Sequence, residues 1–136
     1  MKISLRDTTY FDRDAFNGNL YVEKKDDKGF NALLVHCLTR HYKTRLKSAT
    51  RMYLVLEGVG TFTINDDKQD AVKDDFFIIS DGDTYEYEGE MKLFEFNIPA
   101  TDNSNEEKLD WFPIFYFWKV IHTNFFCSHI FHIAMQ

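Results

Sequence analysis

Arg51, Tyr53, Tyr85, Tyr87 and Glu95 are the residues whose types and spacing could hold or transform a small molecule. Residues two apart on a β-strand share a face. Arg51 therefore lies on one face with Tyr53 and Val55, Tyr85 with Tyr87, and Glu95 with Asn97. A guanidinium set among phenols suits a small anionic or polyhydroxylated ligand, such as a carboxylate, a phosphorylated metabolite or a sugar. A second reading needs no ligand: the tyrosines fill an interior and Arg51 pairs with Glu95. Both stand on the residues alone.

The histidines and cysteines carry less. His36 and His41 are five apart, so on one continuous strand they face opposite ways. A shared metal site would need a bulge or turn between them, and a core or rim histidine is the expectation for each. His129 and His132 could meet on one helix face, but with His122 and Cys127 they match no standard ligand spacing. Cys37 reads as a small apolar core side chain. The two cysteines, Cys37 and Cys127, form no Cys-x-x-Cys pair, so a reducing cytoplasm is expected and a disulfide framework is not.

The elements that position these residues are short strands. Asn19–Glu23 alternates and meets a polar turn ending at Gly29. Phe30–Leu38 is an apolar run with little alternation, expected to be buried on nearly both faces. Shorter runs follow at 42–46, 51–57, 61–65, 71–73, 76–79, 84–88 and 91–97, with Asp66-Asp67 and Asp81-Gly82 as turns. Many short strands at this spacing indicate an all-β barrel or sandwich. The 136 residues are enough for one core, and 44% hydrophobic with 28% charged is a globular composition. A net charge of −6 argues against nucleic acid as a partner. Met1–Asp7 opens without a signal-peptide core.

The character changes after Ala100. Residues 101–110 are polar and read as a linker, closing a barrel domain assigned to 1–100. Residues 111–136 form an atypical aromatic tail with both tryptophans and one fixed charge, Lys119. Exposed aromatic surface of this kind calls for a membrane or a protein partner. Pro113, Lys119 and three histidines oppose a spanning helix. The remaining readings are a tail packed on the barrel or its dimer mate, and a tail appended by a shifted reading frame or altered stop codon.

Two segments carry a family resemblance. Arg51-Met-Tyr-Leu-Val-Leu-Glu-Gly-Val-Gly-Thr-Phe-Thr-Ile-Asn65 and Val72–Tyr87 resemble the two signature motifs of the cupins, small double-stranded β-helix (jelly-roll) barrels. The resemblance covers roughly residues 30 to 99. It implies metal ligands from a His-x-His pair and a Glu in the first motif and a His in the second. With Gly58 as anchor, Arg51 stands at the Glu position and the His-x-His falls within Thr44–Lys47, which holds no histidine. With Asp81-Gly82 as anchor, Tyr85 stands at the last His. The resemblance thus implies a cupin without its metal or any cofactor, and an Arg there would repel a cation. It also turns Arg51 inward, toward Tyr53, Tyr85 and Tyr87.

Three functions follow as expectations. The first is metal-independent binding or sensing of a small molecule. The second is a metal-free sugar isomerase or epimerase, for which Tyr85 could donate and Glu95 would be the base, since the inferred cavity offers no histidine. The third, a metal-dependent oxygenase, lacks its ligand set. The resemblance further implies a homodimer, with strand-like pieces in residues 1–23 crossing to the partner.

Overall fold

Alternation of inward and outward side chains organises the strands of the described residues. The structure, a computed structural model, describes residues 1–110; the expectations for the aromatic tail lie outside the described residues. Ten strands run in order: β1 (Thr9–Asp12), β2 (Phe16–Val22), β3 (Asn31–Cys37), β4 (Arg40–Leu46), β5 (Thr50–Ile64), β6 (Asp67–Val72), β7 (Phe76–Ile79), β8 (Thr84–Glu88), β9 (Met91–Ile98) and β10 (Glu106–Lys108). Hydrogen bonding follows the path β1-β2-β3-β9-β5-β8-β4-β10, with β6 and β7 added on β5. All described pairs are antiparallel. The chain is an all-β antiparallel half-barrel, as its strand pattern predicts.

β5 joins the two layers. Its first half pairs with β9 and β7, its second with β6 and β8. The sequence places a corner at Glu57-Gly58-Val59-Gly60; the structure carries one strand through it, with a register shift between Val55 and Glu57. Gly58 has φ of 87°, and a Cβ there would meet the Glu90 carbonyl oxygen at 2.1 Å. Glycine is what lets the strand bend onto the second sheet.

The inward faces sort by polarity along the barrel. Val35, Val55 and Leu93 share one register row, next to Cys37 and Met91, all buried. Two rows away, Asn31, Asn97 and Arg51 share another, also buried. One end of the barrel is thus apolar and the other polar.

Two expectations change here. β3 is not buried on both faces: Asn31, Leu33, Val35 and Cys37 point in, while Ala32, Leu34 and His36 remain partly exposed. Within residues 1–23, β1 pairs with β2 and β2 with β3, which leaves the expected crossing to a partner untested. Residues 101–110 are no linker, because Glu106, Glu107 and Lys108 pair with Leu46, Arg45 and Thr44 of β4. Their polarity reflects an edge strand with one wet face.

The outer faces also differ. Across β3, β9, β5 and β7 one row holds Leu34, Phe94, Leu54 and Phe76; the next holds Ala32, Phe96, Met52 and Ile78. Across β6, β5, β8 and β4 the outward residues include Lys68, Thr63, Glu86 and Arg45. No helix among the described residues is long and apolar enough to cross a membrane.

Candidate functional site

At the polar end Arg51 is 4% exposed and every direction of its guanidinium meets an acceptor. Nε donates to Asn97 Oδ1 at 2.5 Å and lies 3.1 Å from Glu95 Oε1. Nη1 donates to the Tyr85 hydroxyl at 2.5 Å and to Glu106 Oε1 at 2.6 Å. Nη2 reaches Thr101 Oγ1 at 3.4 Å. Asn97 Nδ2 donates in turn to Glu95 Oε1 at 2.9 Å. Burial alone would favour neutral Arg51, but Glu95 and Glu106 hold it charged, well above its ordinary value.

Glu106 shows the opposite balance. Burial pushes its carboxyl up, and the Arg51 charge and hydrogen bond overcome that, leaving it below the ordinary carboxylate value. One guanidinium thus serves two carboxylates in a nearly dry setting, an arrangement that holds only while all members are present.

The aromatic side of the site is built on His41. A register shift between His41 and Thr44 on β4 turns the imidazole inward opposite Tyr87. Its ring stacks on Tyr85 at 5.1 Å and on Tyr87 at 4.9 Å between centroids. Tyr53 packs against Tyr87 at 5.4 Å and Tyr85 at 6.2 Å. Burial drives His41 down to about 4, with Glu106 pulling against it, so the ring is neutral near pH 7. Burial likewise raises the phenols of Tyr53, Tyr85 and Tyr87, which stay protonated. Two buried polar atoms, His41 Nδ1 and the Tyr53 hydroxyl, have no partner at good hydrogen-bond geometry, although the Tyr42 backbone lies close to the first and the phenols of Tyr85 and Tyr87 close to the second.

All five sequence-derived residues come together at this end: Arg51, Tyr53, Tyr85, Tyr87 and Glu95 are each at most 7% exposed. The Arg51–Glu95 contact foreseen in the ligand-free reading is present. The sequence reading missed Glu106, hidden in an apparent linker, and the proximity of His41, hidden by a bulge. The view that the interior offers no histidine is therefore corrected. His36 lies elsewhere, partly exposed and 3.7 Å from Glu90. Cys37 is buried at the apolar end, its thiol pushed up to about 11 by desolvation.

The donor set does not suit the divalent metal that the fold family implies. Glu95 and Glu106 are both engaged by a guanidinium, and His41 is stacked between phenols. Among the described residues, no three of His, Cys, Asp and Glu are grouped to hold a metal ion. A cleft of about 380 Å³ opens on the outer side of β5, β8 and β4; Arg40, Thr61, Thr63 and Glu86 line it, and so do His41 and Tyr87.

The architecture is shared with solved structures. Pac13, described as a unique nucleoside dehydratase, superposes with a TM-score of 0.73 at 18% identity, over 80% of this chain and 90% of that one. The cupin domain of Schizosaccharomyces pombe Cnp3 superposes with a TM-score of 0.59 at 20% identity, over 74% of each chain. This chain has the cupin fold. Ectoine synthase from P. lautus is similar to this cupin barrel too, with a TM-score of 0.68 at 12% identity, over 80% of this chain and 89% of that one. No family model and no curated protein matches the sequence.

Proposed function

We propose that this cupin barrel binds a small polyhydroxylated molecule, of the nucleoside or sugar class, at its polar end and without a metal. The observation that carries the reading is the pair of orphaned buried atoms, His41 Nδ1 and the Tyr53 hydroxyl. An unpaired buried polar group costs about 1–3 kcal/mol, which a ligand hydroxyl or carbonyl would recover. The cleft on the outer side of the sheet is of small-molecule size and reaches His41 and Tyr87, but not Arg51 or Tyr53. Variants of Streptomyces PAC13 have been solved with uridine, one His-to-Gln and two Tyr-to-Phe. The two varied tyrosines of that protein are 34 residues apart, as are Tyr53 and Tyr87 here.

The site also supports a second reading, acid–base catalysis on the bound molecule. A neutral imidazole in contact with two protonated phenols supplies a proton acceptor and donors within one cluster. This replaces Glu95 as the expected base, since Glu95 is committed to Arg51 and Asn97.

Titration calorimetry of the full chain with uridine and with ribose 5-phosphate tests the binding reading. Saturable binding is expected, weakened about tenfold or more in His41→Gln and Tyr53→Phe, as loss of one buried hydrogen bond predicts. Absence of binding by either compound at millimolar concentration would remove the nucleoside and sugar class. Binding unaffected by both substitutions would move the site elsewhere.

A further inference from the structure

We infer that Glu106 makes the polar end selective for uncharged ligands, nucleosides or free sugars rather than their phosphates or carboxylates; the inference rests on the binding proposed above. Arg51 is the only Lys or Arg among the buried described residues, and alone it would suit an anion. It faces two carboxylates, Glu95 at 3.1 Å and Glu106 at 2.6 Å. His41 is neutral near pH 7 and the three phenols are protonated. The cluster therefore sets one cation against two carboxylates, and an entering anion would add a third negative charge in a nearly dry setting.

The side of the guanidinium that would grip an anion is already taken. Nη1 donates to the Tyr85 hydroxyl and to Glu106 Oε1, and Nη2 reaches Thr101 Oγ1. A carboxylate or phosphate that engages Arg51 at two points must displace Glu106. The backbone around Glu106 is held on both sides. Before it, the Lys47 N–H donates to the Asn105 carbonyl at 2.8 Å, and Asn105 Nδ2 donates to the Lys47 carbonyl at 2.8 Å. After it, the Leu109 N–H donates to the Lys43 carbonyl at 3.0 Å. Displacement would strip a mostly buried carboxylate of the guanidinium that keeps it ionised. Lys108 lies 3.6 Å from Glu106 Oε2, but it is half exposed and water screens its charge.

The approach from outside has the same balance. Along the cleft that reaches His41 and Tyr87, Arg40 and Lys68 stand against Asp66, Glu86 and Glu88. Both cations already have carboxylates: Arg40 lies 3.4 Å from Asp110 and 4.0 Å from Glu86, and Lys68 lies 3.9 Å from Glu88. The net charge of −6 adds repulsion at long range. The unmet needs inside are those that a neutral group answers. His41 Nδ1 and the Tyr53 hydroxyl lack partners at good geometry. A ligand hydroxyl both gives and accepts a hydrogen bond, whereas a carboxylate only accepts. Ribose 5-phosphate should accordingly need a higher concentration than uridine to saturate the site.

Titration calorimetry of the full chain with uridine 5′-carboxamide and uridine 5′-carboxylate, alike in size and different in charge, tests this. The carboxamide should bind about tenfold or more tightly than the carboxylate. Glu106→Gln removes the excess negative charge and should bring that ratio down to about threefold or less. Glu106→Asp keeps the charge and should keep most of the ratio. A carboxylate bound as tightly as the carboxamide would overturn the selectivity while leaving the binding of neutral molecules in place. A ratio unchanged in Glu106→Gln would take the role away from Glu106. Uridine bound with both analogues refused would make the exclusion one of bulk and overturn the proposal. Silence from uridine and both analogues would remove the binding and the selectivity together. The wild-type comparison needs no variant, so it decides the selectivity even where Glu106→Gln does not fold.

Discussion

The two ends of the barrel interior use the same strands to opposite purposes. At one end β3, β5 and β9 bring Val35, Val55 and Leu93 together; two register rows on, they bring Asn31, Arg51 and Asn97. The apolar end gains by area removed from water, a term that tolerates local loss. The polar end gains only if each donor meets its acceptor, and two atoms there, on His41 and Tyr53, do not. A protein seeking stability alone would extend the apolar rows. Under the proposed function, the cost concentrated there is the one a bound ligand would offset.

The largest expected effect breaks the polar end. Arg51→Met leaves Glu95 and Glu106 buried without a cation and should lower unfolding free energy by about 3–5 kcal/mol. Urea denaturation at pH 7 reads it, and Arg51→Lys should recover only part, since an ammonium lacks the planar fork. At the apolar end Leu93→Ala should cost about 2–5 kcal/mol by opening a cavity. Its signature is a loss independent of pH.

pH separates the ends more sharply. The His41 folded value is about 4 against an ordinary 6.5. The unfolded chain takes up a proton across that window that the folded chain refuses, so stability should fall as pH drops from 6.5 to 4. The loss is of order 2–3 kcal/mol. Denaturation midpoints at pH 7, 5 and 4 should show it, and His41→Gln should flatten the slope above pH 5. Glu106, depressed by Arg51, adds to the loss only at lower pH, as it protonates. Smallest of all, Tyr53→Phe should stabilise the chain by roughly 1 kcal/mol, because it removes a buried hydroxyl with no partner. Thermal melts measure it; a loss of stability instead would mean that the hydroxyl is paired in solution.

Legibility in the sequence followed the same division. Strand alternation is a two-residue period and survives without knowledge of partners, so most strands and the inward set Arg51, Tyr53, Tyr85, Tyr87 and Glu95 could be read. His41 could not, because the irregularity between His41 and Thr44 breaks the period that assigns faces. Glu106 could not, because a three-residue edge strand with mostly polar neighbours has the composition of a loop. The length of β5 was hidden by its two glycines, which mark a bend within one strand rather than a turn between two.

The pairing of β10 with β4 decides where this domain can be cut. A chain stopped at Ala100 would keep nine of the ten strands among the described residues and look complete by strand pattern. It would lose Glu106 from Arg51, the Thr101 contact, and the strand that covers the backbone of Thr44, Arg45 and Leu46. The C-terminal boundary for a fusion or graft is therefore an electrostatic one, and it lies no earlier than Asp110, since Leu109 and Asp110 still bond Lys43 of β4.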